Sequence, residues 1–211
     1  YADGRSGAVA DDPHILNVSG DNTLKMHGDW NTGIRVPITV TADSSTLYAN
    51  SGNWNLRSDS GKLTILLGSS PDFGTIYNTD NKTINLQLMG AGDGQIDVPI
   101  KVYLANPSLT LVKQGAGTWT LTNNANNYTG TTTIEAGTLS LGTTGTITAS
   151  TAITVKSGAT FDVAGLAGGY TLGAAQTLGG RGLVNGSVTA GTGSTVAPGD
   201  SAAGTLSVSG N

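Results

Sequence analysis

Apolar and polar positions alternate in short bursts along this chain, and in its second half the bursts repeat. Five segments share one form, a small residue followed by alternating apolar positions. They are Gly117-Thr118-Trp119-Thr120-Leu121, Gly137-Thr138-Leu139-Ser140-Leu141, Ala159-Thr160-Phe161-Asp162-Val163, Arg181-Gly182-Leu183-Val184 and Gly204-Thr205-Leu206-Ser207-Val208. Period-two alternation predicts strands with one buried face, so Trp119, Leu121, Leu139 and Leu141 point inward while Thr and Ser point out. The lead residues Trp119, Leu139, Phe161, Leu183 and Leu206 recur about every 20 to 23 residues, the length of one solenoid turn. Stacking such rungs in parallel register, about 4.8 Å apart, buries a column of side chains that no single rung can bury.

Helices are nearly excluded, because no segment keeps an i, i+3, i+4, i+7 apolar pattern and Gly, Thr and Asn are poor helix interiors. Short strands separated by turns such as Asn123-Asn124, Gly179-Gly180 and Asn185-Gly186 are expected instead. The ladder can be carried backward through Ile96, Ile76, Trp54, Ile34 and Leu16, at similar spacing. The first half also holds longer strand-like runs, Ile34–Thr41, Lys62–Leu67 and Thr83–Leu88. Residues 14–106 therefore either continue the solenoid or form a β-sandwich-like cap. Residues 1–13 lack periodicity and read as an N-terminal arm, and residues 107–211 form the repeat region.

Composition sharpens this picture. Charged residues make up 11% of the chain, under half of the roughly 25% usual for a globular domain. With Val, Ile and Thr regularly placed, that scarcity reads as packed β-structure rather than disorder. Charge is also unevenly spread: after Lys113 only Glu135, Lys156, Asp162, Arg181 and Asp200 carry it, which divides the chain near Asn106-Pro107. A net charge of −4 without a basic cluster argues against nucleic acid as a partner. The longest apolar runs, such as Leu63–Leu67, are too short to cross a bilayer as a helix, so no membrane insertion is expected. Cys is absent, which fits a stacked β-protein that does not rely on disulfides. Because Tyr1 stands where a start methionine would, the chain is expected to be a processed protein or a piece of a longer one.

Within Leu111–Leu141 the order is Lys113-x-Gly115-x-Gly117, Leu121, Tyr128-x-Gly130-x-Thr132 and Gly137-Thr138-Leu139. This closely resembles the passenger-associated transport repeat of bacterial autotransporters. The later Ala197-Pro198-Gly199-Asp200-Ser201, followed by Gly204–Asn211, resembles the segment that often follows it. The resemblance covers the C-terminal half. It implies a right-handed parallel β-helix on a secreted or surface-exposed bacterial protein, and it carries no active-site residue with it. Residues 1–106 match no pattern of that family.

Candidate chemistry is sparse. Glycoside hydrolysis needs two carboxylates facing one cleft, and lyase chemistry a base with a cation or metal. Asp93 and Asp97, with Lys101 beyond, are the closest approach to such a set, and solvated turn acids beside Gly92 and Gly94 explain them more simply. Gly90–Asp97 resembles one imperfect copy of a calcium-binding β-roll repeat, a site that needs tandem copies, so no metal and no cofactor are expected. His14 and His27 have no Cys, and Lys25 beside His27 opposes a metal. Trp119 is expected in the core, Tyr128 as a cover at a rung end, and Trp30, in a turn, as a ligand contact. No catalytic residue is assigned. Asn17, Asn81, Asn127 and Asn185 head glycosylation sequons that chance supplies in such a composition.

The terminal rung Thr205, Leu206, Ser207 and Val208 has a full strand pattern with neither a polar helix nor a charged loop to cap it. An open rung and an unpatterned arm predict head-to-tail assembly through a heterologous contact that need not close. Alternatively, neighbouring repeats of a longer passenger cover that end. Three functions follow in order: an extracellular, non-enzymatic structural subunit of a fibre, stalk or filament; an adhesin-type module binding surface glycans through loops such as Asp29–Gly33 or Asn50–Ser60; and a polysaccharide-active enzyme in residues 1–106.

Overall fold

The structure is a computed structural model that describes residues 14–18, 22–25, 38–42, 45–50, 53–59, 61–66, 76–78, 83–102 and 109–210. Every element among them is a strand. The first group comprises β1 (His14–Val18), β2 (Asn22–Lys25), β3 (Ile38–Ala42), β4 (Ser45–Asn50), β5 (Asn53–Ser58), β6 (Lys62–Leu66) and β7 (Ile76–Asn78). Next come β8 (Ile84–Met89), β9 (Asp93–Ile96), β10 (Ile100–Val102), β11 (Leu109–Lys113), β12 (Thr118–Leu121), β13 (Thr132–Ile134) and β14 (Thr138–Leu141). The last are β15 (Ala152–Val155), β16 (Thr160–Asp162), β17 (Tyr170–Thr171), β18 (Thr177–Gly180), β19 (Leu183–Asn185), β20 (Val188–Thr189), β21 (Thr195–Pro198) and β22 (Ser207–Val208).

Two eight-stranded sheets dominate, in the orders β21-β18-β15-β13-β11-β8-β5-β4 and β2-β6-β9-β12-β14-β16-β19-β22. From β5 onward the chain passes through the two in turn, with β7, β10, β17 and β20 set aside in small two-stranded sheets, so each coil lies over the one before. All these pairings are parallel except β4 with β5, an antiparallel hairpin at the N-terminal edge of the first sheet. The architecture is a parallel β-solenoid. It reaches well into the first half, because β8 pairs with β11 and β9 with β12 in the same two sheets. The composition shift near Asn106-Pro107 is thus no break in the sheets. The arm at residues 1–13 lies outside the described residues.

The core consists of stacked inward columns. In the first sheet Leu86, Leu111, Thr132, Ile153 and Leu178 lie in register, and beside them Leu56, Leu88, Lys113, Ile134 and Val155. In the second sheet Leu63, Gly94, Trp119, Leu139, Phe161 and Val184 form one column, and Ile65, Ile96, Leu121 and Leu141 another. Nearly all of these side chains are fully buried. Burying them contributes about 25 cal/mol per Å² of apolar surface, so the stability of the rod is spread along its length.

Register corrects part of the anchor series. Phe161 pairs with Val184, not Leu183, which pairs with Thr160 and is 37% exposed. The reason lies in Gly182: a Cβ there would sit 2.4 Å from Lys156 O, as one on Gly117 would sit 1.9 Å from Gly92 O. Gly182 therefore takes the small-residue place, and the inward position falls two residues later. At the last coil Val208, not Leu206, pairs with Val184, while Leu206 packs half-buried against the core. Gly204 leaves room there for the Arg181 side chain, whose Cγ would lie 2.5 Å from an added Cβ. The backward anchors mix faces. Ile96 aligns with Leu121, Ile76 pairs with Ile100 in a third small sheet, and Trp54 pairs with Leu86 in the first sheet. Leu16 in β1 pairs with Val40. Ile34 is outside the described residues.

Candidate functional site

The bends between the two sheets hold the least expected group. Lys113 continues the inward alternation of Leu109 and Leu111, so its side chain enters the core between Leu88 and Ile134 and is fully buried. A buried ammonium demands acceptors, and the turns supply them. Its Nζ donates to Gln114 O at 3.0 Å, Gly115 O at 2.8 Å and, one coil on, Ala136 O at 3.0 Å. These carbonyls converge because the turn glycines hold left-handed conformations, φ 76° at Gly115 and 65° at Gly137. A Cβ on Gly137 would lie 2.4 Å from Gly115 O, so only glycine lets the bends stack this closely. Burial pushes the Lys113 ammonium down to about 8, with the Asp93 carboxylate opposing that shift. The signal that places Lys113 inside is the alternation Leu109-x-Leu111-x-Lys113, which outweighs the surface preference of lysine.

Outside the bends, the residues that follow β11, β13, β15 and β18 (Gln114, Glu135, Lys156 and Arg181) form a polar row. Gln114 donates to Glu135 at 2.8 Å, and Asp200 joins Lys156 at 2.9 Å and Arg181 at 3.1 Å. Buried polar groups at the third corner are equally matched. Tyr128 Oη meets Thr132 Oγ1, which meets Ser150 Oγ. Gln176 Nε2 donates to Ile147 O and Ser150 O, while its Oε1 accepts from Tyr170 Oη. Burial raises both tyrosine hydroxyls well above their ordinary value. Tyr128, read as a rung-end cover, is therefore a buried member of this network.

The acids weighed as catalytic candidates are committed to the scaffold. Asp93 Oδ1 accepts from Thr118 N at 2.8 Å, while Asp97 accepts from Gln95 Nε2 and the Thr122 hydroxyl. Asp162 accepts from Ser140 Oγ at 3.0 Å and Asn185 Nδ2 at 2.8 Å. Lys101 lies on β10, in a different sheet from Asp93. Among the described residues no three His, Asp or Glu side chains gather as metal ligands. Trp119 is fully buried, its indole N–H donating to Met89 O at 3.2 Å. Trp30, the expected ligand contact, and His27 lie outside the described residues, as does the loop Asp29–Gly33.

At the far end the two sheets terminate in β21 and β22. Val196 pairs with Leu178 and Val208 with Val184, so both valines end inward columns, yet they are 47% and 43% exposed. Of the other residues expected at an assembly surface, Thr205 and Ser207 are exposed and Leu206 is half-buried.

A rod of stacked parallel coils belongs to the class of β-solenoids. Residues 111–141 match the Passenger-associated-transport-repeat family, a repeat of secreted and cell-surface passengers, and they span the coil that carries Lys113 and its carbonyls. No curated protein and no solved structure matches the chain.

Proposed function

We propose that the chain is a non-catalytic structural module of an extracellular or cell-surface passenger, a β-solenoid rod that lengthens at its C-terminal edge. The next coil comes from neighbouring repeats of a longer passenger or from a second copy arriving head to tail. The observation that carries this reading is the exposure of Val196 and Val208, each the last member of an otherwise buried column. Unpaired N–H and C=O groups beside such side chains are a template for another strand. The likeness of residues 111–141 to a passenger repeat supports an extracellular setting, and the engagement of Asp93, Asp97 and Asp162 in scaffold hydrogen bonds supports a role without catalysis.

Negative-stain electron microscopy of the concentrated full chain tests this. Head-to-tail filaments are expected, lost in Val196→Lys and Val208→Lys while circular dichroism stays unchanged. Monodisperse single rods at high concentration would sink the self-assembly reading.

A further inference from the structure

Asn185-Gly186 is the pair whose side-chain amide and following backbone nitrogen are joined to the last coil by one hydroxyl. Ser209 Oγ donates to Asn185 Oδ1 at 3.0 Å and accepts from Gly186 N at 3.0 Å. The other end of the same amide is fixed as well, since Asn185 Nδ2 donates to Asp162 Oδ1 at 2.8 Å. Backbone bonds of the β22 segment close over the pair, from Ser209 N to Val184 O at 2.9 Å and from Gly210 N to Gly186 O at 3.2 Å. Gly186 sits at φ 115°, with no side chain to shield its nitrogen. From this geometry we infer that Asn185 is a site of spontaneous deamidation, held shut by the docked β22 segment and opened when that segment detaches.

The chemistry requires nothing beyond water. The Gly186 nitrogen gives up its proton to a solvent base and attacks Asn185 Cγ. A C–N bond forms, the Cγ–Nδ2 bond breaks, and ammonia leaves with a proton. Water then opens the succinimide at either carbonyl, giving aspartate or isoaspartate, with no change of oxidation state. While β22 is docked, the nitrogen is engaged as a donor to Ser209 and the amide is pinned at both its oxygen and its nitrogen, so the carbonyl carbon cannot turn toward it. The strand that holds this lock is weak, two residues long and exposed along its length. Local opening of such a segment costs far less than global unfolding.

The product weakens the junction with the preceding coil. A carboxylate at residue 185 replaces a donor, 2.8 Å from Asp162, with a second negative charge across the β16–β19 pair. This inference rests on the internal contacts of the last coils.

The test incubates the full-length chain under mildly alkaline conditions and follows residue 185 by peptide mapping and isoaspartate labelling. Slow conversion is expected in the native protein, several-fold faster conversion in Ser209→Ala, and the fastest in the urea-unfolded chain. Equal rates in native and unfolded chains would overturn the lock, as would a Ser209→Ala variant that converts no faster than wild type. A second variant, Asn185→Asp, mimics the product directly. Hydrogen exchange is expected to show reduced protection at the Val163 and Leu183 amides, which bridge β16 and β19, and unchanged protection there would overturn the charge repulsion.

Discussion

The indole of Trp119 fills the space that Gly94 leaves empty. The two residues face each other across the parallel pair β9–β12, and a Cβ built on Gly94 would stand 2.3 Å from the ring atoms Cδ2 and Cε3. One coil's largest core residue is thus accommodated by the smallest residue of the coil beneath it, with Leu63 and Leu139 continuing the column on either side. Packing at this density has no slack, so the pair behaves as one unit.

Gly94→Ala is accordingly expected to destabilise the rod by about 1–3 kcal/mol through overpacking. Trp119→Leu alone leaves a cavity and loses the bond to Met89 O. Combined, the two changes relieve each other, and the double variant is expected to be more stable than the sum of the single losses predicts. Urea denaturation of the four proteins measures this coupling, and simple additivity would mean the ring can move aside at no cost.

Lys113 makes stability depend on pH in a direction unusual for a lysine. Its ammonium titrates at about 8 in the folded chain, against 10.5 for an ordinary lysine. Between those values the unfolded chain binds more protons, so stability rises with pH through that window, by up to about 1.4 kcal/mol per pH unit. The tyrosines oppose this further up. Tyr128 and Tyr170 keep their protons in the fold beyond the point where the unfolded chain loses them, so their contribution falls above pH 10 or so. Urea midpoints are expected to climb from pH 8 and turn over near pH 10. In Lys113→Met the climb disappears, and at pH 7 the three carbonyls left without their donor cost about 1–3 kcal/mol.

The sequence carried the period and the inward phase more clearly than the register. Trp119, Leu139 and Phe161 stand one above another as their spacing implied, because Gly117, Gly137 and Ala159 set the same two-residue offset before each. Leu183 departs from the series because Gly182 occupies the small-residue place, and counting two residues from it reaches Val184. In the first half, anchors chosen by spacing alone fell on three faces, since each coil there carries an apolar strand on every side. The hydroxyl and amide contacts at the third corner had no legible signal. Thr132, Ser150 and Gln176 are buried through hydrogen bonds to one another and to turn carbonyls, contacts that strand alternation does not report.

Asp200 gives the last coil a pH dependence of the same sense as that of Lys113, in the acid range instead. It sits in the loop between β21 and β22 and reaches back to Lys156 and Arg181, at the bends of the two preceding first-sheet strands. The hydrogen bond from Lys156, with the charges of both cations, holds its carboxyl below the usual carboxylate range. A depressed carboxylate stabilises the fold above the ordinary Asp value and loses that contribution as pH falls through its folded one. The loop is exposed, so the global midpoint hardly moves and the effect is local. Hydrogen exchange is expected to show faster opening of Thr195–Ala197 and Ser207 in Asp200→Asn at neutral pH, with β15 and β18 unchanged. Raising the salt concentration should shrink the difference between variant and wild type, because surface charges are screened over about 10 Å at 0.1 M. If Asp200→Asn leaves exchange at Thr195–Ala197 unaltered, the bridge back to Lys156 and Arg181 contributes nothing to holding the terminal coil.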